Sequence, residues 1–297
     1  MIRSPFFYVG DKYKLLTQLK EFFPSGINNL IEPFCGGGSV FLNTSAAKYI
    51  ENDNNPWMIK LHKFLLKESK NKKLFFRKLH RLIDQYGLSA SYLGKNVPAD
   101  LKKKYIKTHY AVFNKEAYSK LKADFNANQS NMMLLYMLLI YGFNHMLRFN
   151  SSGLFNLPVG NVDYNKNVYE ALSNYFDLAS VIDVQFYALD YKKFLRKINI
   201  EKNDFVYLDP PYLISSSEYN KFWNEKNEKE LLAEIDKLNE KGIKFALSNV
   251  FRHKGLSNQI LIDWSKKYNV HFLKSNYISY FDNSIKKDTI EVLITNY

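Results

Sequence analysis

The segment best suited to chemistry is an apolar run that ends in a carboxylate, two prolines and an aromatic ring. Residues 205–208 have strand character and are followed by Asp209-Pro-Pro-Tyr212. Prolines fix their own φ and hold the preceding residue extended, so Asp209, the carbonyl of Pro210 and Tyr212 are held stiffly at the end of a strand. In open α/β sheets, ligands bind at that end. The segment predicts a site for a planar ring with an amino group, such as adenine or cytosine; a strand with a plain proline turn is the alternative.

A second candidate site is the run Glu32-Pro-Phe-Cys-Gly-Gly-Gly-Ser39, which follows a predicted strand. Glycines let the backbone approach a ligand closely, and a helix predicted to begin at Val40 would add free N–H groups. The run could serve a dinucleotide, but the usual spacing of that fingerprint is absent. There is no Gly-Lys-Ser/Thr motif, which argues against a nucleotide-triphosphate loop. Asp53 ends the next predicted strand, where an acid can hold ribose hydroxyls, although a turn residue is the alternative. Cys35 is expected to be a packing residue.

Two regions with an α/β pattern flank a mostly helical middle. Both motifs lie in these two regions, whose strands would position them. Strands are predicted at 30–32, 48–51, 184–187, 205–208, 244–247, 271–274 and 291–295. Apolar residues at helical spacing predict helices in the middle, including Met132–Tyr141, and one containing Leu231 to Leu238. Residues 148–158 are predicted to form a loop or hairpin. This alternation is typical of a mainly parallel sheet, with a catalytic domain at 1–56 and 169–297 and an inserted domain at 57–168.

Composition narrows the partners. The 297 residues carry a net charge of +13, and residues 60–107 hold 14 Lys or Arg but only 3 Asp or Glu. Such concentration favours a phosphate polymer over a solvated helix face. No run reaches the roughly 20 apolar residues of a membrane span, and no signal-peptide pattern is present at the amino terminus. With one cysteine and no ligand-like histidine spacing, we expect no disulfide, no metal and a cytoplasmic location in a bacterial or phage-infected cell.

Taken together, the motifs resemble the Dam family of DNA adenine-N6 methyltransferases, and within it the enzymes of T-even bacteriophages. The likeness spans nearly the whole chain. The matching segments are residues 8–12, 32–38, 52–53, 142–150, 153–155, 209–214, 219–223, 242–250 and 291–294. The resemblance implies a Rossmann-like sheet that uses S-adenosylmethionine, with an inserted, mostly helical target-recognition domain that binds double-stranded DNA. A cognate restriction endonuclease would be a genetic rather than a physical partner.

The resemblance also implies roles for individual residues. Asp209, Pro210 and Tyr212 would be catalytic, and Tyr219 would lie near the cofactor. The cofactor would contact Tyr8, Lys12, Phe34, Gly36, Gly38, Asp53, Asp190, Tyr191 and Asp209; a structural role is the alternative for Asp190 and Tyr191. Hydrogen bonds from the adenine amino group to Asp209 and the Pro210 carbonyl would favour a tetrahedral nitrogen, with Tyr212 stacked on a base flipped from the duplex.

Target reading is expected from residues that match the family's recognition segment: Phe143, Asn144, Met146, Arg148, Asn150 and Pro158. Arg148 can contact guanine with two hydrogen bonds, or a phosphate instead. Phe143 can wedge into the opened stack and Met146 can contact a thymine methyl, with core packing as the alternative. Relatives have basic residues where this chain has Asn161-Val162. This departure removes an expected reader of an outer base pair. The expected target is GATC, or another site with a GAT core and a relaxed or different outer base pair.

Two further functions stay open at this stage. One is a DNA-binding protein on an inactive methyltransferase scaffold, against which the intact Asp209–Tyr212 segment and glycine run argue. The other is an RNA adenine or cytosine-N4 methyltransferase, which shares the chemistry of the motif. The target segment favours duplex DNA, because the fold alone does not decide the substrate.

Overall fold

The computed structural model describes residues 1–215, 223–274 and 289–297. The chain forms two compact units. The first, here called the sheet unit, contains Lys12–Cys35, Asn43–Asn54 and Asp183–Tyr297. The second, the helical unit, contains Met1–Asp11, Gly36–Leu42 and Asn55–Ile182.

The regular elements alternate at both ends of the chain and are helical in the middle. The strands are β1 (Ile27–Glu32), β2 (Ala46–Asn52), β3 (Val184–Tyr187), β4 (Phe205–Leu208), β5 (Lys244–His253), β6 (Leu256–Ser257), β7 (Asn269–Leu273) and β8 (Ile290–Thr295). The α-helices are α1 (Leu16–Lys20), α2 (Pro56–Glu68), α3 (Lys72–Tyr86), α4 (Ala99–Lys104), α5 (His109–Ala127), α6 (Met132–Tyr141), α7 (Lys166–Ala179), α8 (Tyr191–Lys197), α9 (Glu225–Glu240) and α10 (Gln259–Ser265).

The sheet unit is built on one sheet with the strand order β3-β2-β1-β4-β5-β8-β7, and β6 pairs with β5. The pairs among β1 to β5 on this path are parallel, whereas β8 runs antiparallel to both β5 and β7. All four residues of β4 are buried, as expected of a central parallel strand. The core includes Val206, Leu208, Phe245 and Ile235 of α9. The predicted α/β class with a mainly parallel sheet is confirmed.

The helical unit is organised around α6, in which nine residues, Met133 to Tyr141, are buried. A helix that is apolar on every face belongs in a core rather than at a surface. Tyr118, Leu121 and Phe125 of α5 are also buried. Among the described residues, no helix is both long and apolar enough to cross a membrane.

The predicted helix after the glycine run is wrong. Residues Phe41–Asn43 form one turn of 3-10 helix, and β2 begins three residues later at Ala46. So short a connection has no room for an α-helix with free N–H groups at its start. By contrast, β3, β4 and α6 have the predicted bounds, and the isolated bridge between Phe149 and Phe155 confirms the hairpin near residues 148–158. The division into a catalytic domain, at 1–56 and 169–297, and a target-recognition domain, at 57–168, remains a prediction.

Candidate active site

In the sheet unit, Asp209 follows β4 directly and contacts two further polar side chains. The Nζ atom of Lys12 donates to Oδ2 of Asp209 at 2.6 Å, and the Tyr212 hydroxyl donates to Oδ1 at 3.1 Å. The same Nζ atom lies 5.1 Å from the centroid of the Tyr212 ring. The Lys12 side chain is only 7% exposed and that of Asp209 is 19% exposed. Asp209 is therefore restrained at both oxygens, in the stiff geometry that the two prolines impose.

This arrangement leaves Asp209 able to act on a ligand. A carboxylate has about four acceptor positions, so two donors do not exhaust it. Removing one partner of a buried ion pair lowers the free energy of unfolding of a protein by roughly 3–5 kcal/mol, because the other charge stays buried and uncompensated. Lys12 thus fixes a charged acceptor at the carboxyl end of β4. Both residues were predicted for the site, but their ion pair joins positions 197 apart in the chain.

Three acidic residues gather at the carboxyl ends of β1 and β2. Glu32 and Glu51 are register partners and are both buried, and Asp53 follows β2 directly. Burial, reinforced by the charge of Glu32, raises the pKa of Glu51 well above its ordinary value. Burial and the nearby Glu51 also raise the pKa of the Cys35 thiol well above its usual range, consistent with the predicted packing role.

Asn52 holds the loops around these acids. Its side-chain amide donates to the carbonyl groups of Pro33 and Leu189, each at 2.9 Å, and its Oδ1 atom accepts from the Leu189 N–H at 3.0 Å. Its backbone carbonyl accepts from the Cys35 N–H at 2.8 Å. One fully buried side chain therefore ties the segment after β1 to the segment after β3. Sequence reasoning noticed Asn52 only as part of a motif and did not assign it this positioning role.

An aromatic wall is formed in the sheet unit by Phe34, Tyr191 and Trp223. The Phe34 ring centroid lies 5.3 Å from that of Tyr191 and 6.2 Å from that of Trp223. Nε1 of Trp223 donates to Glu228 at 2.7 Å, while Asn249 and Asn258 donate to the other Glu228 oxygen at 3.2 and 2.8 Å. Burial raises the pKa of Glu228 despite these three donors. Sequence reasoning missed Glu228; a carboxylate on the buried face of a helix, five residues after a tryptophan, was the available signal.

Asp190 and Tyr191, at the start of α8, have separate roles. Oδ1 of Asp190 accepts from the N–H groups of Lys192 and Lys193, at 3.0 and 3.3 Å, and so caps α8. The Tyr191 hydroxyl is buried and has no hydrogen-bond partner within residues 1–215, 223–274 and 289–297. Burial raises its pKa, so the phenol stays protonated at neutral pH. Tyr219 lies outside the described residues.

In the helical unit, the glycine run packs against the amino-terminal segment. Gly36 and Gly38 have φ angles of +49° and +78°, which glycine adopts without strain. A Cβ atom at Gly38 would lie 2.2 Å from the Phe41 ring, so this glycine is required by the fold itself. A Cβ atom at Gly36 would have Tyr8 as its nearest neighbour within 4 Å, at 3.9 Å. Of the two glycines, Gly36 is thus the one at which an added Cβ atom would meet no close contact among the described residues.

His62 of α2 holds this run from the other side. Its Nε2 atom donates to the Gly36 carbonyl at 2.8 Å, and its ring packs edge-on against Phe6 with the centroids 4.6 Å apart. Burial lowers the pKa of His62 to about 4, so the imidazole is neutral at neutral pH. Tyr8 belongs to the same unit, where its hydroxyl accepts from the Asn55 amide at 3.5 Å. Sequence reasoning missed His62, which is one of six histidines and has no motif of its own.

The predicted recognition residues lie in a hairpin region of the helical unit. Phe143 is 51% exposed, and Asn144 adopts a positive φ of 52°. Met146 is half-buried, and Pro158 is exposed and accepts from the Phe143 N–H at 3.0 Å. Phe143, Asn144 and Pro158 therefore belong to one exposed surface.

Two of the other recognition residues make bonds within the hairpin. Arg148 donates to Asn156 through Nε and Nη2, at 3.0 and 2.8 Å. Asn150 accepts from the N–H groups of Ser152 and Leu154 and shapes the tip. Asn161, where the chain departs from the Dam pattern, accepts from the N–H groups of Tyr110 and Ala111, which start α5. The departure therefore supplies a helix cap.

Comparisons with known proteins identify the family of this chain. Residues 8–279 match the family described as D12 class N6 adenine-specific DNA methyltransferase. The chain is 36% identical over its full length to the modification methylase StsI of Streptococcus sanguinis and 34% identical to the type II methyltransferase M.FokI of Planomicrobium okeanokoites. It covers 43% of each of those two proteins. The DNA adenine methylase of Escherichia coli K12 is 30% identical over 72% of this chain and 66% of its own length.

An α/β sheet that presents an Asp-Pro-Pro-Tyr segment at the end of a central strand defines the class of amino-group methyltransferases. The chain belongs to the family of D12 class N6 adenine-specific DNA methyltransferases. The predicted family is thereby confirmed. The chain spans less than half the length of the modification methylases that it matches.

Proposed function

We propose that this chain transfers a methyl group to N6 of adenine in duplex DNA, with S-adenosylmethionine as the donor. The observation that carries the proposal is the restrained carboxylate of Asp209, fixed by Lys12 and Tyr212 at the carboxyl end of β4. Membership of a family described as N6 adenine-specific supports the choice of base. The intact Lys12–Asp209 pair argues against an inactive scaffold.

The chemistry asked of the residues follows from adenine itself. The N6 lone pair is delocalised into the ring, so the amino group is a poor nucleophile. Asp209 and the Pro210 carbonyl are proposed to accept its two hydrogens, which favours a tetrahedral nitrogen with its lone pair available. The same acceptors stabilise the positive charge that develops on N6, and Asp209 lies where it can receive the proton that leaves. Tyr212 is proposed to stack on the flipped base.

Several features fit the proposed cofactor. S-adenosylmethionine, when bound, supplies a methyl carbon activated by a positively charged sulfur. The rings of Phe34, Tyr191 and Trp223 provide an apolar wall suited to a purine. The buried Tyr191 hydroxyl lacks a partner among the described residues, and a ligand atom could provide one. Asp53, which follows β2 directly, is proposed to bind the ribose hydroxyls, and Gly36 and Tyr8 are proposed to contact the methionine part.

The proposed target is a site with a GAT core, GATC being the leading sequence. Phe143, Asn144, Met146, Arg148, Asn150 and Pro158 are proposed to contact the DNA. The exposed Phe143 ring supports a wedge, and Arg148 retains N–H groups beyond the two that Asn156 accepts. Asn161 is engaged in capping α5, which supports a relaxed or different choice at an outer base pair.

The decisive experiment combines one substitution with mapping of the product. Wild-type protein is incubated with a bacterial genome and labelled methyl donor, and modified bases are mapped at single-base resolution. We expect N6-methyladenine at one short sequence and none with Asp209→Ala, whose affinity for DNA stays within a few fold of wild type. Methyl transfer by Asp209→Ala contradicts the mechanism. Modification of cytosine N4, or of RNA alone, contradicts the proposed substrate.

A further inference from the structure

A groove lined by cations runs between two helices of the helical unit, next to the hairpin that contains the predicted recognition residues. It has a volume of about 920 Å³. From α2 it is lined by Lys60, Lys63 and Lys67, and from α3 by Lys78 and Arg81. Among the residues that the structure describes, Glu68 is the one acidic residue in its lining. We call this surface the lysine groove.

The cations of the lysine groove are not neutralised by the protein. None of the five makes an ion pair with a carboxylate in the described part of the chain. Other surface lysines of the same unit do, as with Lys95 and Asp84, or Lys166 and Glu170. Five clustered cations repel one another unless an anion is present, so the groove suits a ligand with several negative charges.

The spacing of the lysines suits a polymer rather than a single anion. Lys60, Lys63 and Lys67 follow one face of α2 at steps of three and four residues, and all three are exposed. At a rise of about 1.5 Å per residue they span roughly 10 Å along the helix. Each strand of duplex DNA carries one phosphate per about 3.4 Å of helix axis, so such a row can follow successive phosphates.

The groove is continuous with the recognition hairpin. Gln129, on its rim, donates to the Gly153 carbonyl at the hairpin tip at 2.8 Å. Nζ of Lys60 lies 3.9 Å from the centroid of the Trp57 ring, and that ring stacks on Phe149 with the centroids 4.7 Å apart. DNA held by the hairpin would thus meet the lysine groove as it leaves the recognition site.

We propose that the lysine groove binds the sugar–phosphate backbone of DNA that flanks the recognition sequence. This inference rests on the proposed function, because it requires that the hairpin hold duplex DNA. The contact reads no bases. It adds affinity that depends on salt and on the length of the duplex, and it favours targets embedded in long DNA.

The test is the salt dependence of binding to two duplexes with the same target, about 12 and about 30 base pairs long. The variant is the triple substitution Lys63→Gln, Lys67→Gln and Arg81→Gln. Its control, matched in net charge, is Lys95→Gln, Lys166→Gln and Lys267→Gln, which removes lysines already paired with acids. We expect the slope of log K against log salt to flatten by about 2–3 for the variant on the long duplex, at about 0.9 per phosphate contact.

The controls separate the two proposals. Wild type should bind the long duplex at least tenfold more tightly than the short one at low salt, and the variant should bring that ratio close to one. If the slope of log K against log salt is the same for the variant and the control triple, the lysine groove does not bind DNA and the proposal is overturned. Failure of wild type to prefer any target sequence, on either duplex, contradicts the proposed function instead. Thermal unfolding of both triples checks that each is folded.

Discussion

Acid should destabilise the protein through His62, and the substitution that tests this is His62→Gln. The imidazole is fully buried, and burial lowers its pKa from 6.5 to about 4, partly offset by its bond to the Gly36 carbonyl. Between these two pKa values, His62 therefore binds a proton in the unfolded chain and stays neutral in the folded chain. The stability contributed by the neutral ring is complete only well above pH 6.5 and is lost as the pH falls from there toward 4.

The size of the effect follows from the two pKa values. Linkage gives a loss of roughly 0.2 kcal/mol at pH 7 and roughly 2 kcal/mol at pH 5 for this one group. Glutamine keeps an N–H donor for the Gly36 carbonyl but has no proton to gain. Its weaker packing against Phe6 lowers stability equally at both pH values. The variant should therefore lose about 2 kcal/mol less than wild type between pH 7 and pH 5.

The assay is urea unfolding of both proteins at pH 7.0 and pH 5.0. His109→Gln serves as the control, because this partly exposed histidine contributes no buried ring. Its pH response should match that of wild type. If His62→Gln and wild type lose the same stability within about 0.5 kcal/mol, the reasoning from burial to proton linkage is refuted.

Three further outcomes are expected. Arg148→Ala should relax sequence discrimination more than it weakens binding to non-specific DNA, measured on a library of duplexes; uniform weakening across sequences identifies a phosphate contact instead. Glu228→Gln should lower the free energy of unfolding by roughly 1–3 kcal/mol, because the amide nitrogen would face Nε1 of Trp223; equal stability of this variant and the exposed control Glu240→Gln contradicts that role. Cys35 should react with thiol reagents only on unfolding, because it is buried and its thiol pKa is raised; rapid labelling of the native protein opposes this.

Several elements could be predicted because their signals are local. β4 has the predicted bounds, since a continuous apolar run is stopped by Asp209 and two prolines. α6 was equally clear from its unbroken apolar run. The helix predicted at Val40 failed because the distance to the next strand, and not the local pattern, limits what residues 40–45 can form. A single sequence does not show where that strand begins.

The rest of the site depends on residues far apart in the chain. The resemblance to a known family brought Lys12 and Asp209 into the same site, but no pattern in the residues predicts that they form an ion pair. The clamp by Asn52 depends on contacts with Pro33 and Leu189, which no spacing rule links. Asn161 looked like a missing base reader and proves to be a helix cap, because it meets α5 some 50 residues away. Contacts of this kind are set by tertiary structure, which local propensity does not encode.

The place of β8 in the sheet has a consequence for biosynthesis. Its residues, Ile290–Thr295, follow the other described strands of the sheet in the chain, yet they fill an interior position between β5 and β7. Until a ribosome has released them, β5 lacks its neighbour on that side, and β7 lacks the described strand with which it pairs. A stop codon before residue 290 would leave the apolar residues of β5 along an open edge, where another chain can add. We therefore expect such truncated products to aggregate or to be removed by proteases, and not to persist as partly active enzyme.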